Sequence, residues 1–535
     1  MGGFVLRNGE NSFGEAAGQP QADAMSPSSR ARFSGRKLRT LLCCAGAPFL
    51  IMLDTNIVAV SLPSIARDLR GGFADVEWVV SAYILPFAAL LMPAGALADR
   101  LGRRRMLLIG LSIFTFASFL CGAAPNLATL NGARALQAVG AALQLTSSLA
   151  VVAHGFEPHE RDRVYAIWGT VMGMAPPLGP ILGGLVTSYL GWRWAFYINL
   201  PLGAGLIVLA LTSVAESRDP KASGLDYRGI LLFGAGLFGV VWALIDANSI
   251  GWESAPTIIR LAAGAVLLVA FVFAERKHPR PMIDLSIFRD PTVTGAAVAM
   301  LGYAAAAQVM MTILPLYLQD AFVLSPAITG LAMIPFALPL LIGPSVGGRL
   351  ATRMSSRAIL SFGLGLVALG NAIAAAAVLA DLYWTAAIGM FITGSGAGLL
   401  NSETAKAQVS SVPPERAGMA SGLASTTRFI GIIAGVAGLG AVLAAVAEAS
   451  LRRLGAPLVL DQRVDWHDLS LRIVGGDASG ALSALSDPIR IALQGTVHAS
   501  VAAGFGAALS VAAVVAVFAS LASWRLIRAA GTRSS

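Results

Sequence analysis

One aspartate lies inside an apolar stretch, where ionisable side chains are rare. Asp54 lies in Leu53-Asp-Thr-Asn-Ile-Val-Ala-Val-Ser-Leu-Pro63. An apolar environment penalises the ionised carboxylate, so a group of this kind can take up and release protons under physiological conditions. That is the property a proton-coupled carrier needs. The alternative is a carboxylate that only forms hydrogen bonds with neighbouring helices.

An arginine lies in the fourth apolar stretch, and Gln137 follows it by one helical turn. Arginine stays protonated even when it is buried. Arg134 can therefore set the electric field at a titratable acid without titrating itself, and Gln137 can share its helix face. The alternative role is a structural salt bridge, for example to Asp99.

A dense charge cluster follows the second apolar stretch. It reads Gly95-Ala-Leu-Ala-Asp99-Arg100-Leu-Gly102-Arg103-Arg104-Arg105. A shorter echo, Gly348-Arg-Leu-Ala-Thr-Arg-Met-Ser355, follows the second stretch of the second half of the chain. Parallel repeats of this kind predict two related helical bundles with a substrate cavity between them.

The fifth apolar stretch is unusually rich in glycine and proline. The residues concerned are Gly173, Gly179, Pro180, Gly183 and Gly184. Prolines remove backbone donors and kink helices, and glycines let neighbouring backbones approach closely. The pattern predicts a hinge or a tight seal for alternating access; a plain packing surface is the alternative.

The candidates for the lining of the cavity are Gln137, already named, together with Glu403 and Arg428. Arg428 lies deep in the thirteenth stretch and is expected to face the cavity or a carboxylate. For Glu403 and its neighbour Lys406 we favour the interpretation that both side chains reach the membrane interface.

The composition identifies the elements that must position these residues. The chain has 535 residues, of which 56% are hydrophobic and 13% are charged, about half the charged fraction of a soluble domain. Charge is excluded from about fourteen blocks, each about the 20 residues that a bilayer core requires. The three cysteines lie inside such blocks and are expected to be packing residues. We therefore predict an all-α polytopic membrane protein.

The net charge of +9 does not indicate nucleic-acid binding, because the basic residues concentrate in alternate short loops. By the positive-inside rule, both termini are cytoplasmic and the number of spans is even, which fourteen satisfies. The expected location is the cytoplasmic (inner) membrane. The predicted regions are a disordered tail (1–40), a six-helix bundle (41–216), a two-helix insertion with cytoplasmic linkers (217–291), a second six-helix bundle (292–525) with an extracytoplasmic loop (448–496), and a cytoplasmic tail (526–535). The loop is expected to be solvated, with a binding role as the alternative.

Several classes of chemistry lack their motifs in this sequence. The five histidines show no metal-ligand spacing, and neither H-E-x-x-H nor a phosphate-binding G-x-x-x-x-G-K-[ST] loop occurs. We therefore expect no metal and no cofactor, and ATP is not the energy source within this chain. A membrane-embedded enzyme or sensor is disfavoured.

Together these motifs resemble the major facilitator superfamily, specifically its fourteen-helix drug:proton antiporters of the EmrB/QacA type. The resemblance covers roughly residues 41–525. Its motifs are the charged loop, Arg134-x-x-Gln137 with Ala138 where glycine is usual, Gly179-Pro180-x-x-Gly183-Gly184, Leu53 to Pro63, Trp192 to Pro201 and Pro315 to Gln319.

The resemblance implies two six-helix bundles with two additional central helices. It also implies that Asp99 and its arginines latch the cytoplasmic gate, that Asp54 contributes to proton or substrate coupling, and that Arg134 tunes this coupling. The implied function is proton-driven export of hydrophobic or amphipathic compounds. The alternatives are a dedicated exporter of one metabolite or antibiotic, and a permease that works with a periplasmic adaptor protein.

Overall fold

The structure is a computed structural model, and it is built from α-helices joined by short turns. It describes residues 35–218, 226–278, 281, 285–320, 324–410, 417–459, 464–475, 478–483 and 485–528. No strand occurs within these ranges, so the predicted all-α class is confirmed. Most of the predicted N-terminal tail lies outside the described residues.

The first half of the chain forms seven helices. They are α1 (Gly35–Leu69), α2 (Phe73–Leu101), α3 (Arg103–Gly122), α4 (Leu127–Gly155), α5 (Pro158–Tyr189), α6 (Trp194–Tyr197) and α7 (Asn199–Ser213). The short α6 leads directly into α7, and the two together are long and apolar enough to form one span.

Two further helices follow, α8 (Tyr227–Ile250) and α9 (Ala255–Lys277). Helix α8 packs against α2 and α16 as well as against α9. The pair is held by an ion pair of 2.6 Å between Asp246 and Arg260, and the Arg260 guanidinium lies 4.0 Å from the centre of the Trp242 ring.

The second half contains the remaining helices. They are α10 (Pro291–Tyr303), a π-helical turn (Ala304–Gln308), α11 (Met310–Asp320), α12 (Pro326–Ala332), α13 (Ile334–Leu350), α14 (Ser356–Leu379), α15 (Tyr383–Ser410), α16 (Ala417–Gly455), α17 (Trp466–Val474), α18 (Ala478–Ser483) and α19 (Asp487–Leu526). Two short 3₁₀ turns also occur: Leu285–Arg289 precedes α10, and Ala456–Leu458 precedes α17.

Each half of the chain contains a helix crossing at which two glycines face each other. A Cβ atom added to Gly140 of α4 would lie 2.7 Å from the carbonyl oxygen of Gly110 in α3. A Cβ added to Gly389 of α15 would likewise lie 2.7 Å from the carbonyl oxygen of Gly370 in α14. Since small residues allow this approach of backbones in a bilayer, both crossings follow from the glycines at these positions.

Within the described residues, ten helices are long and apolar enough to cross a membrane. Two bent pairs raise the number to twelve if each forms one span. Helices α5 and α15 have 32 and 28 residues and would complete the predicted fourteen. The number fourteen therefore stays a prediction.

Segment 448–496 differs from the solvated loop that we expected. Its described part is mostly helical: α16 runs on to Gly455, and α17 buries Leu469 and Ile473. Helix α17 packs against α16 and α2. Leu469 and Ile473 are four residues apart, which is the spacing of one helix face. The mixed charges around them led us to expect a solvated loop instead.

Candidate functional site

A buried polar cluster joins four helices of the first half. The Asp54 carboxylate in α1 accepts hydrogen bonds from Arg134 Nη1 (2.6 Å), Gln137 Nε2 (3.0 Å) and Asn199 Nδ2 (2.6 Å). The Ser118 hydroxyl of α3 accepts a second bond from Gln137, at 2.8 Å. All five side chains are buried. The cluster brings together Asp54, Arg134 and Gln137, as the sequence suggested.

The Arg134 side chain contacts backbone, amide, aromatic and carboxylate groups. Its Nε donates to the Val79 carbonyl oxygen at 3.2 Å, and its Nη1 also donates to Gln137 Oε1 at 2.7 Å. The Tyr83 ring lies against the guanidinium, with 4.2 Å between the ring centre and Cζ. The ion pair of Arg134 is with Asp54, not with Asp99 as the structural alternative proposed.

Asn199 is a member of this cluster that the sequence reasoning missed. It is the first residue of α7, and its Nδ2 bonds to Asp54. Its Oδ1 is buried without a hydrogen-bond partner among the described residues. An asparagine in the otherwise apolar run after Trp194 was the available signal, since a buried amide needs a partner.

The charged loop forms its own network at the junction of α2 and α3. Asp99 accepts two bonds from Arg103, at 2.9 and 2.7 Å. Arg104 Nη2 donates to the Leu211 carbonyl oxygen at 2.7 Å, and Arg100 is exposed. A Cβ atom added to Gly95 would lie 3.8 Å from Thr146 Cβ of α4, an ordinary contact distance. These bonds all lie within the first half.

Glu216 caps this loop and was also missed. Its carboxylate accepts from the backbone nitrogens of Arg104 (3.2 Å) and Arg105 (3.1 Å), the first turn of α3. A carboxylate at a helix N-terminus is favourable, because the first backbone N–H groups lack partners inside the helix. Gly102 has φ +116° and lies directly under this carboxylate.

Replacing Gly102 by alanine should destabilise the protein by about 1–3 kcal/mol, because a side chain at this backbone conformation is strained. Its Cβ would also lie 2.7 Å from Glu216 Oε1. Gly95→Ala is the matched control, since its Cβ would meet nothing closer than 3.8 Å. Thermal unfolding of the purified protein in detergent measures both. Equal melting temperatures for the two variants would contradict the prediction.

The glycines of α5 make two kinds of backbone contact. Towards α1, a Cβ at Gly179 would lie 2.2 Å from Asn56 Cβ, and one at Gly183 would lie 2.9 Å from Ile57 Cα. Gly173 is in α5, but its surroundings lie outside the described residues. These contacts place α5 directly on the helix that carries Asp54.

The second contact crosses between the halves. A Cβ at Gly184 would lie 2.2 Å from the Pro326 carbonyl oxygen, and a Cβ at Gly330 would lie 2.2 Å from the Pro180 carbonyl oxygen. The Ser188 hydroxyl accepts from the backbone nitrogen of Ala327 at 2.9 Å. We call this reciprocal contact of α5 with α12 the glycine seam.

A central cavity lies between the halves. Its lining side chains come from α1, α2, α10, the π-helical turn, α11, α13, α15 and α16, and comprise Ile51, Met52, Thr55, Asn56, Ala59, Tyr83, Ile84, Phe87, Tyr303, Ala307, Gln308, Met311, Thr312, Phe336, Leu340, Ala397, Asn401, Arg428, Phe429 and Ile432. Tyr83 belongs both to this lining and to the contacts of Arg134. The tyrosine therefore connects the polar cluster with the cavity.

Arg428 lines the cavity, as expected, whereas Gln137 and Glu403 do not. Gln137 belongs to the Asp54 cluster. Glu403 is buried, and one of its oxygens pairs with the exposed Lys406 at 3.2 Å. The interface interpretation therefore fits Lys406 but not Glu403.

A protein-family model and two known relatives match this chain over most of its length. The family model described as the Major Facilitator Superfamily matches residues 44–436. The chain is 36% identical over 506 residues to the multidrug resistance protein Stp of Mycobacterium tuberculosis (strain ATCC 25618 / H37Rv), covering 91% of this chain and 92% of that protein. It is 30% identical over 525 residues to the tetracenomycin C resistance and export protein of Streptomyces glaucescens, covering 94% of each.

Solved structures show the same fold. A bacterial homologue of the human lysosomal transporter Spinster, in an inward-facing and unoccupied conformation, superposes with a TM-score of 0.62 at 17% identity. The match covers 94% of this chain and all of that one (100%). A D-xylose–proton symporter superposes with a TM-score of 0.56 at 14% identity. The predicted superfamily is confirmed: this chain is a multi-pass membrane protein that belongs to the Major Facilitator Superfamily of transporters.

Proposed function

We propose that this protein exports hydrophobic or amphipathic drugs in exchange for protons, by alternating access between its two halves. The observation that carries the proposal is the fully buried Asp54–Arg134 pair beside a cavity lined by both halves. The names of the relatives, a multidrug resistance protein and a resistance and export protein, support the direction of transport and the class of substrate.

The chemistry assigned to the cluster is a proton exchange at Asp54. While the carboxylate is ionised, it binds the Arg134 guanidinium and two side-chain amides. A proton on Asp54 removes the ionic part of these bonds and leaves a buried cation, which is costly in an apolar setting. The arrangement of α1, α4 and α7 therefore depends on the protonation state.

The proposed access change is the opening of the glycine seam. If both termini are cytoplasmic, as the charge pattern predicts, the seam lies at the extracytoplasmic ends of α5 and α12, and we assign the structure to a state closed outside. Gln319 Nε2, which donates to the Val60 carbonyl oxygen at 2.9 Å, closes the same end between α11 and α1. The Asp99 loop would latch the opposite, cytoplasmic end when the halves rock.

The proposal predicts that substrates release protons from everted membrane vesicles whose lumen has been acidified. Lipophilic cations, anionic dyes and neutral antibiotics are added one at a time, and lumenal pH is followed by fluorescence. A rise of lumenal pH that persists without sodium is expected for several compounds. Response to one compound only would indicate a dedicated exporter, and transport driven by sodium alone would refute proton coupling.

A dependence on a periplasmic adaptor protein has its own test. The outer ends of α16 and α19 with α17 would form the docking surface. Co-purification from a host that carries such adaptors is the measurement, and transport by the purified chain in liposomes would show that no adaptor is needed.

A further inference from the structure

The charge of the central cavity is the feature that the proposed function leaves unused. Among its described lining residues, the one side chain that is charged at neutral pH is Arg428, and no carboxylate is present. The other polar groups of the lining are neutral hydroxyls and amides: Thr55, Asn56, Tyr83, Tyr303, Gln308, Thr312 and Asn401. The cavity therefore has a positive electrostatic character.

Arg428 is bound by a neutral partner. Its Nε donates to Gln308 Oε1 at 2.8 Å, and the centre of the Tyr303 ring lies 6.0 Å from its Cζ. The Tyr303 hydroxyl in turn donates to Asn401 Oδ1 at 3.3 Å. A guanidinium carries five N–H donors, and in the described part of the chain Arg428 forms no ion pair.

Arg134 provides the contrast within the same molecule. That arginine is buried with Asp54 at 2.6 Å, so its charge is balanced. The Asp54 carboxylate is in turn bound by Arg134, Gln137 and Asn199. Asp54 does not belong to the cavity lining, and its charge is already balanced by that of Arg134.

The walls around Arg428 are aromatic. Tyr83, Phe87, Phe336 and Phe429 line the cavity with Tyr303. The Phe87 and Phe429 rings meet edge to face across the two halves, with their centres 4.6 Å apart. Such rings bind flat aromatic compounds through offset stacking and edge contacts.

We infer that this cavity takes aromatic amphipathic compounds that carry an anionic oxygen, such as a carboxylate, phenolate or enolate, and that Arg428 pairs with that oxygen. The inference rests on the proposed function and specifies its substrate class. Arginine presents parallel N–H donors that match a carboxylate. An organic cation in the same place would be repelled, because the lining offers no carboxylate to compensate.

The test compares two dyes that share a xanthene ring system but differ in charge, fluorescein (anionic) and rhodamine 123 (cationic). Binding to the purified full chain in detergent is followed by fluorescence anisotropy. We expect the wild-type protein to bind fluorescein more tightly, and Arg428→Gln to weaken fluorescein binding by about 10-fold or more, the size expected for a lost hydrogen bond to a charged group. Rhodamine 123 binding should stay equal or improve.

Two further variants separate charge from structure. Arg428→Lys keeps the positive charge and should retain much of the fluorescein binding. Arg453→Gln removes an exposed arginine from the same helix and should change neither dye. A thermal unfolding temperature of Arg428→Gln close to that of the wild type shows that the variant is folded.

Three results would overturn the inference: wild-type preference for rhodamine 123, no fluorescein binding by the wild type, or fluorescein binding unaffected by Arg428→Gln. Dye binding needs no proton gradient, so the binding test can fail or succeed independently of a test of the proposed export function. Charge-selective binding without proton-driven dye uptake in everted vesicles would keep the inference and reject the export mechanism. Proton-driven uptake of rhodamine 123 but not of fluorescein would support the export mechanism and reject the inference about anionic substrates.

Discussion

The Arg134→Ala variant should be destabilised by about 3–5 kcal/mol, because removal of one partner leaves the other charge buried and uncompensated. Asp54 is 0% exposed and Arg134 is 1% exposed, so water cannot replace the lost contact in the folded state. The measurement is chemical or thermal unfolding of the purified protein in detergent.

Adding Asp54→Asn to Arg134→Ala should recover most of this loss, because the double variant contains neither charge. Proton-coupled transport should nevertheless be absent in Arg134→Ala, in Asp54→Asn and in the double variant, since each lacks the titratable group, its cation or both. The non-additivity of the stability changes measures the coupling of the pair. Additive losses would show that the two charges do not interact in the folded state, and full coupling in the double variant would show that the pair has no role in proton exchange.

Asp246→Asn is the matched control for Asp54→Asn. Asp246 also pairs with an arginine at 2.6 Å, but it lies on α8, outside the Asp54 cluster and the cavity lining. The Asp246→Asn variant should leave substrate-induced proton release unchanged. Equal loss in both aspartate variants would mean that the assay reports stability and not coupling.

Alanine at Gly184 or Gly330 should open the glycine seam and reduce transport by roughly 10-fold or more, as expected for a shift of about 1.4 kcal/mol or more between two states. Each added Cβ would lie 2.2 Å from a backbone carbonyl oxygen of the other half, and backbone cannot rotate away as a side chain can. Gly348→Ala is the control, because nothing lies within 4 Å of its Cβ.

The state of the seam can be read by cross-linking. Cysteines at positions 188 and 327, where the Ser188 hydroxyl meets the Ala327 backbone nitrogen, should form a disulfide on oxidation and stop transport until reduced. The native Cys43, Cys44 and Cys121 are buried and should not compete. Gly184→Ala should slow the cross-link; an unchanged rate with normal transport would show that the seam does not control access.

The sequence determined the features that depend on neighbouring residues. Blocks of apolar residues specify membrane helices wherever they occur, because each backbone group must be paired within its own helix. The alternate charged loops predict the topology for a similarly local reason. Asp54, Arg134 and the glycines of α5 were recognisable because charge or glycine inside an apolar run is costly unless it has a use.

Only the tertiary structure decided which residues these features meet. Asp54 contacts Asn199, 145 positions away, and Arg134 could not be assigned to Asp54 or Asp99 from its own helix. Glu216 reaches the first turn of α3 from the end of the first half, and Gly184 faces Pro326 in the other half. The membrane requires each helix to satisfy its own backbone, but it does not specify which helix faces are neighbours. Those neighbours follow from the packing of side chains that are far apart in the chain.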